Sequence, residues 1–323
     1  MILPATVFGL ATTLSGPLLT TNASPDYYNI LCRLPLVILS TWMELLVFDL
    51  SNQRQPGSAV EDAVNKPWRP IPSGRISEAA ARHLLMAAIP ATIIKSILLG
   101  TTLETLVFFI LTWIVSHQHH PHLSLLFPPL TPLSPQYNDL AASESHYFIR
   151  TLINALGIAT YSASAAAVAA RITPTTTTSS LSLPLHTYTL PLGPDHLSIT
   201  TPLTPRFYHW LLLLSLAIFL TITTQDLPDL PGDAAKGRPS MPLAIGEARA
   251  RWSIAAGFVG ASGACCAFWG TGWIGVLGTG IVLGGRAVSA RGVDWDKGTW
   301  RGWCGWVAVV YCLPVWARLR GVV

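Results

Sequence analysis

Charge is what this chain has least of. Only 11% of its 323 residues are charged, half are hydrophobic, and the mean hydropathy is +0.46. Soluble domains carry about 25% charged residues, so this chain has too little polar surface for a fold bathed in water. A membrane domain is the reading that remains. The net charge of +4 is small and its carriers sit in loops. That pattern speaks of membrane topology and against a nucleic-acid partner. Cysteine is scarce too. Cys32, Cys265, Cys266, Cys304 and Cys312 fall within or beside apolar runs and form no Cys-x-x-Cys pair. Adjacent Cys265 and Cys266 therefore read as packing, not as a redox or metal site. No basic segment precedes the first apolar stretch, which reads as a membrane helix and not as a cleaved signal peptide.

Long apolar runs are what the chain has in quantity. A helix needs roughly 20 mostly apolar residues to span the hydrocarbon core. Nine segments serve, near 2–20, 31–50, 79–100, 102–116, 148–170, 207–224, 252–270, 272–289 and 302–318. The expectation is an all-α, polytopic membrane helix bundle of about nine transmembrane helices. It forms a single domain over 1–323, with variable loops at 117–147 and 172–206. Small residues crowd the fifth, seventh and eighth segments, where they let helix backbones approach closely. With nine spans, the loops after the second, fourth, sixth and eighth share one membrane face. Three of them carry twelve of the twenty basic residues, which the positive-inside rule makes cytoplasmic. His117, His119, His120 and His122 are irregularly spaced and lack acidic or cysteine partners, so they read as a solvated loop and not a zinc site.

Two acid-bearing clusters interrupt the apolar chain, both on that shared face. The first runs from Asp49, Asn52 and Gln53 to Glu61 and Asp62, followed by Lys66 and Arg69. The second holds Asp226, Asp229 and Asp233, followed by Lys236 and Arg238. Carboxylates and amide oxygens suit a hard cation such as Mg2+, which is commonly held through a few carboxylates and substrate phosphates. Lys66, Arg69, Lys236 and Arg238 are the candidate diphosphate contacts. Asp226, Asp229 and Asp233 are spaced i, i+3, i+7 and would share a helix face. Pro228 and Pro231 argue instead for an unwound helix end. An isoprenyl diphosphate fits both halves of such a site: its head meets metal and basic side chains, and its tail enters the apolar bundle. Arg54, Arg75, Arg249 and Arg251 read as topology anchors or lipid-headgroup contacts. Glu61 stands between a solvated loop acid and a ligand. Glu44, inside the second helix, is costly in lipid and should face the interior.

The run Asp62-Ala63-Val64-Asn65-Lys66-Pro67-Trp68-Arg69-Pro70-Ile71-Pro72-Ser73-Gly74-Arg75-Ile76-Ser77 resembles the stretch after the first aspartate motif of the UbiA superfamily of intramembrane prenyltransferases. Asp226 to Leu243, with Gly232-Asp233 and Gly237-Arg238-Pro239-Ser240, is similar to that family's second motif. The resemblance implies magnesium and diphosphate roles for Asn52, Asp62, Asp226, Asp229 and Asp233, with Asp49, Gln53 and Glu61 as further oxygen donors. It also implies diphosphate contacts at Arg69 and Lys236. The first motif departs from the usual pattern, since Gln53 follows Asn52 and the distance to Asp62 is two residues longer. It resembles a divergent, fungal branch that includes UbiA-type terpene cyclases.

Three functions emerge as expectations. A prenyltransferase would pass the prenyl group to an aromatic or lipid acceptor. A class I terpene cyclase would capture the same cation with an internal double bond, in a cavity for which Trp42, Phe108, Phe109, Trp113, Tyr161, Tyr208 and Trp210 are candidate lining. A non-catalytic membrane partner or lipid carrier would have no use for the retained acids and bases. Transfer is the leading reading.

Overall fold

Helices dominate the chain. The computed structural model describes residues 2–22, 24–53, 62–64, 66–116, 146–171, 186–192, 195–289 and 292–322. In order they form α1 (Ile2–Leu14), α2 (Tyr27–Gln53), α3 (Glu78–Leu99), α4 (Thr102–Ser116) and α5 (Tyr147–Ala170). A hairpin comes next, β1 (His186–Leu192) and β2 (Asp195–Thr201). Then come α6 (Pro205–Thr221), α7 (Asp226–Lys236), the short α8 (Met241–Ile245), α9 (Glu247–Trp269), α10 (Gly278–Val288), α11 (Val293–Tyr311) and α12 (Leu313–Leu319).

Six stretches are long and apolar enough to cross a membrane, and three shorter apolar helices join them at Ile2–Leu14, Thr102–Thr112 and Trp273–Val288. These occupy the nine expected positions, so the nine-helix figure holds as an approximate count among the described residues. The outward face fits lipid. Ile93, Ile94, Ile97 and Leu98 of α3 and Leu212 and Leu216 of α6 are exposed, a surface that water would not tolerate on a monomer.

The stretch expected as loop 172–206 contains the hairpin, with His186 opposite Thr201 and Leu192 opposite Asp195. Thr, Tyr and Leu in alternation favour the extended backbone. Residues 117–145 of the other expected loop lie outside the described residues, including its histidines.

α5 organises the bundle. It belongs to both hydrophobic clusters, with Ala163, Ala166, Ala167 and Ala170 on one and Ala165, Val168 and Ala169 on the other. Its small side chains let neighbours press in on all sides: a Cβ added at Gly9 of α1 would lie 2.9 Å from the carbonyl oxygen of Ala165. The same device packs α10 on α9, where a Cβ at Gly284 would meet the Ala255 carbonyl oxygen at 3.2 Å. The crowding of small residues in these segments is thus a packing face, as expected.

Candidate active site

The acids and bases of both motifs meet at one end of the bundle. Between α2 and α3 the chain turns tightly: the Lys66 amide donates to the Asp62 carbonyl (2.8 Å) and the Arg69 amide to the Lys66 carbonyl (3.0 Å). Pro67, Pro70 and Pro72 stiffen the rest of the turn, and Gly74 takes φ +72° to release the chain into Ser77, whose hydroxyl caps α3. The loop thereby presents Asp62, Lys66 and Arg69 to the second motif.

That second motif is helical, which corrects the expected unwound end. Pro228 lies in the first turn of α7, where its missing N–H removes little because first-turn donors have no intrahelical partner. Only Pro231 sits deeper. Asp226 and Asp229 in the first turn also favour the helix N-terminus electrostatically. Gly237 closes α7 in the left-handed region at φ 71°. The Arg238 amide then donates to the Asp233 carbonyl (2.9 Å), turning the Arg238 side chain back over α7.

Each acid of the site has its own cation. Arg69 Nη1 donates to both oxygens of Asp62 (2.8 and 2.9 Å). Lys66 Nζ reaches Asp229 at 2.9 Å and so ties the first motif to the second. Arg238 pairs with Asp233, and Arg150, in the first turn of α5, approaches Asp226 at 3.0 Å. Asp62, Asp226 and Asp233 are buried, while the side chains of Lys66 and Arg69 keep 29% exposure each. Charges desolvated this far require partners.

Pairing leaves two oxygens without an aligned hydrogen bond. Oδ1 of Asp226 and Oδ2 of Asp233 are buried without a hydrogen-bond partner among the described residues. The 3.0 Å approach of Arg150 to Asp226 is therefore an ion pair off the hydrogen-bond direction. Asp226 Oδ1 faces Arg150 and Asp233 has the Ser240 hydroxyl nearby, yet both oxygens keep bonding capacity that a hard cation would take. Among the described residues no three His, Cys, Asp or Glu side chains are gathered into a metal cage.

A cavity of about 240 Å3 opens beside the charged cluster. Asp49, Arg69, Asn154 and Gln225 line it on the polar side, and Phe48, Phe108, Leu111, Ile153, Tyr161 and Trp300 line the rest. Two larger hollows, about 310 and 370 Å3, lie elsewhere: one by Glu104, Arg171 and Tyr208, the other by Val7, Val309 and Trp316. Neither touches the acid clusters.

The expected residues fall into place unevenly. Asp62, Asp226, Asp229, Asp233, Lys66, Arg69 and Arg238 come together. Asp49 joins them from the cavity wall, within electrostatic reach of Arg69 and Asp62. Asn52 and Gln53 occupy the last turn of α2, half-buried. Glu61 lies outside the described residues, as does the side chain of Lys236, the residue that ends α7. Of the expected aromatic lining, Phe108 and Tyr161 face the cavity. Tyr208 lines the far hollow, Trp210 is packed between Phe268 and Trp269, and the Trp113 side chain lies outside the described part. Phe48 and Trp300 were not anticipated.

Two further corrections concern charge. Arg251 is no headgroup anchor: it is buried, with Nε on Glu247 (2.8 Å), Nη1 on the Ala287 carbonyl (2.9 Å) and a fork onto Asp296 (2.9 and 2.6 Å). Arg150 was missed altogether. Its signal was available, since an ionisable residue in the first turn of a membrane span is functional by default, but the sequence names no partner for it.

A family model described as the UbiA prenyltransferase family matches residues 9–301. Somaliensene A/B synthase of Streptomyces somaliensis is 28% identical over 275 residues, 82% of this chain and 73% of that protein. Polyprenyl transferase eriF of Hericium erinaceus is 26% identical over 234 residues, 71% of this chain and 61% of that one. A solved structure of digeranylgeranylglyceryl phosphate synthase has the same fold, with a TM-score of 0.55 at 13% identity, covering 98% of this chain and 93% of that one.

Proposed function

The chain belongs to the UbiA prenyltransferase family, and from that premise we propose that it ionises an isoprenyl diphosphate at the charged cluster and transfers the prenyl group to an acceptor. One observation carries this reading: four acid–base pairs gather at one end of the bundle, and Arg69, a member of one of them, also lines an apolar, aromatic-walled cavity. A diphosphate ester has the same two halves.

The residues fit a magnesium-dependent site. Asp226 and Asp233 each offer an oxygen without an aligned hydrogen bond, and Asp62 and Asp229 belong to the same charged cluster. Asn52 is the candidate to complete the first motif's ligand set, with Asp49, Gln53 and Glu61 as further oxygen donors. Magnesium, when bound, supplies neutralising charge to the departing diphosphate. The basic side chains do the rest by changing partners. Lys66, Arg69, Arg150 and Arg238 hold carboxylates while the site is empty of substrate and turn to phosphate oxygens when it fills, with Lys236 expected to join them. A charge-neutral resting site needs no counter-ion and loses little on that exchange. The cavity then excludes water from the allylic cation.

The acceptor is an aromatic or lipid nucleophile reaching the cavity from the membrane. A second reading, cyclisation of the same cation, is favoured by the rings of Phe48, Phe108, Tyr161 and Trp300, whose faces stabilise positive charge. The likeness to a somaliensene synthase supports it too. The basic loops argue for a cytoplasmic active-site face.

The test is diphosphate release by membranes containing the protein, with magnesium and geranyl, farnesyl or geranylgeranyl diphosphate, beside an Asp226→Ala/Asp229→Ala control. Release that depends on both acids is expected. Equal release by the control overturns the reading, and a cyclic product formed without acceptor selects the cyclase.

A further inference from the structure

One carboxylate deep in the bundle is served on one side only. Glu44 of α2 receives the Lys95 ammonium (2.7 Å), the Ser164 hydroxyl (2.8 Å) and the Thr105 hydroxyl (3.3 Å), all on Oε1. Its Oε2 is buried and has no hydrogen-bond partner among the described residues. A pair kept only for stability would not leave such an acceptor bare, because an unmet buried polar atom opposes folding.

The complementary orphan is close by. Tyr161, one turn before Ser164 on α5, lines the cavity, and its hydroxyl is buried without a partner. The ring is fixed between Phe48 and Phe108, with centroids 6.4 and 5.6 Å away. Phe48 lies one turn on from Glu44 along α2, so cavity wall and buried acid occupy adjacent turns. A donor without an acceptor thus lies on the cavity wall, and an acceptor without a donor lies one helical turn away along both α2 and α5.

Resting on the reading that this site generates a prenyl cation, we infer that Tyr161 takes up the proton that ends the reaction, with Glu44 behind it as the final proton acceptor. One proton leaves in either case: from the acceptor when it captures the cation, or from a carbon next to the new cation that capture by an internal double bond creates. The substrate C–H or O–H bond breaks and its electron pair stays in the product. A new O–H bond forms on the Tyr161 oxygen as the original Tyr161 proton passes to Oε2 of Glu44. Lys95, Ser164 and Thr105 hold Glu44 by its other oxygen and leave Oε2 directed to this task. A water bridging the two orphans would satisfy them without any chemistry, and the experiment separates that alternative.

Tyr161→Phe keeps the ring packing and removes only the hydroxyl. In membranes with the full chain, magnesium and the same three diphosphates, the readout is deprotonated product, olefin or prenylated compound, per diphosphate released. The ratio is expected to fall by about a hundredfold, as for loss of a general base, with the missing flux appearing as prenyl alcohol. An unchanged ratio overturns the inference. Glu44→Gln alone would strand Lys95, so the partner variant is Glu44→Gln/Lys95→Met. It should lower the ratio as far, and adding Tyr161→Phe should lower it no further. An unchanged ratio in that variant removes Glu44 from the relay and overturns the inference as stated. A wild-type protein that releases no diphosphate defeats the ionisation reading instead, and is recognised because the ratio then has no denominator.

Discussion

Two buried charge clusters lie at the same end of the bundle and are completed to different degrees. Around Arg251 all three guanidinium nitrogens have partners, and these bonds lace α9 to α10 and α11 through Ala287 and Asp296. Around α7, Asp226 and Asp233 each keep one buried oxygen without a hydrogen bond, and Lys66 and Arg69 remain partly exposed on a stiffened loop. A saturated network is a fastening. An unsaturated one keeps room for further ligands, as the proposed diphosphate site requires. Residue type and burial are similar in the two, so leftover bonding capacity is what separates the Arg251 network from the proposed site.

Substitution should break the comparison in opposite ways. Asp226→Asn is near-isosteric and is expected to cost about a thousandfold in kcat/KM, the scale of losing one preorganised electrostatic contact to a developing charge. Its Tm should move less than that of the Arg251 lock variants. A folded Asp226→Asn protein with full turnover would show that the orphaned oxygen has no catalytic use.

At the lock the order reverses. Asp296→Asn leaves a buried guanidinium short of its counter-charge and should destabilise the protein by about 3 kcal/mol, read as a fall in Tm in detergent. The molecules still folded should turn over at the wild-type rate. If activity fell with Tm unchanged, Arg251 and Asp296 would belong to the active site and the division would be false.

Much of this division could be read in the chain before any coordinates, and the parts that could not have a common cause. The i, i+3, i+7 spacing of Asp226, Asp229 and Asp233 fits the helix that carries them, and Lys66, Arg69 and Arg238, which come after the clusters in sequence, pair with their acids. The unwound α7 was a wrong inference from composition. Proline breaks a helix where an amide is needed, and Pro228 sits where none is. Arg251 misled because its partner Asp296 is distant in sequence and only the crossing of α9 and α11 joins them. Arg150, Lys95 and Glu44 are of the same kind. Local pattern shows that a buried charge must have a partner, but tertiary packing chooses it.

Lys66 offers a finer cut, because it is partly exposed and pairs with Asp229 across the two motifs. Lys66→Gln should raise KM about tenfold and lower kcat less, as for a contact made in both ground and transition states. An equal loss in kcat would mean that Lys66 acts chiefly on the departing diphosphate.

The smallest effect belongs to Lys297. It faces Asp294 at 3.5 Å, both side chains largely exposed, on the face that carries the basic loops. Solvent screens such a pair and two flexible side chains must be ordered to make it, so its contribution is close to nothing. Lys297→Ala should leave Tm, KM and kcat unchanged. It should also leave orientation unchanged, since it is one of twelve basic residues assigned to that side by sequence. A lowered Tm would mean that charge on this face matters by number. An unchanged one, beside a destabilised Asp296→Asn, ties the energetics to burial and completed bonding, which is the distinction drawn between the Arg251 lock and the proposed α7 site.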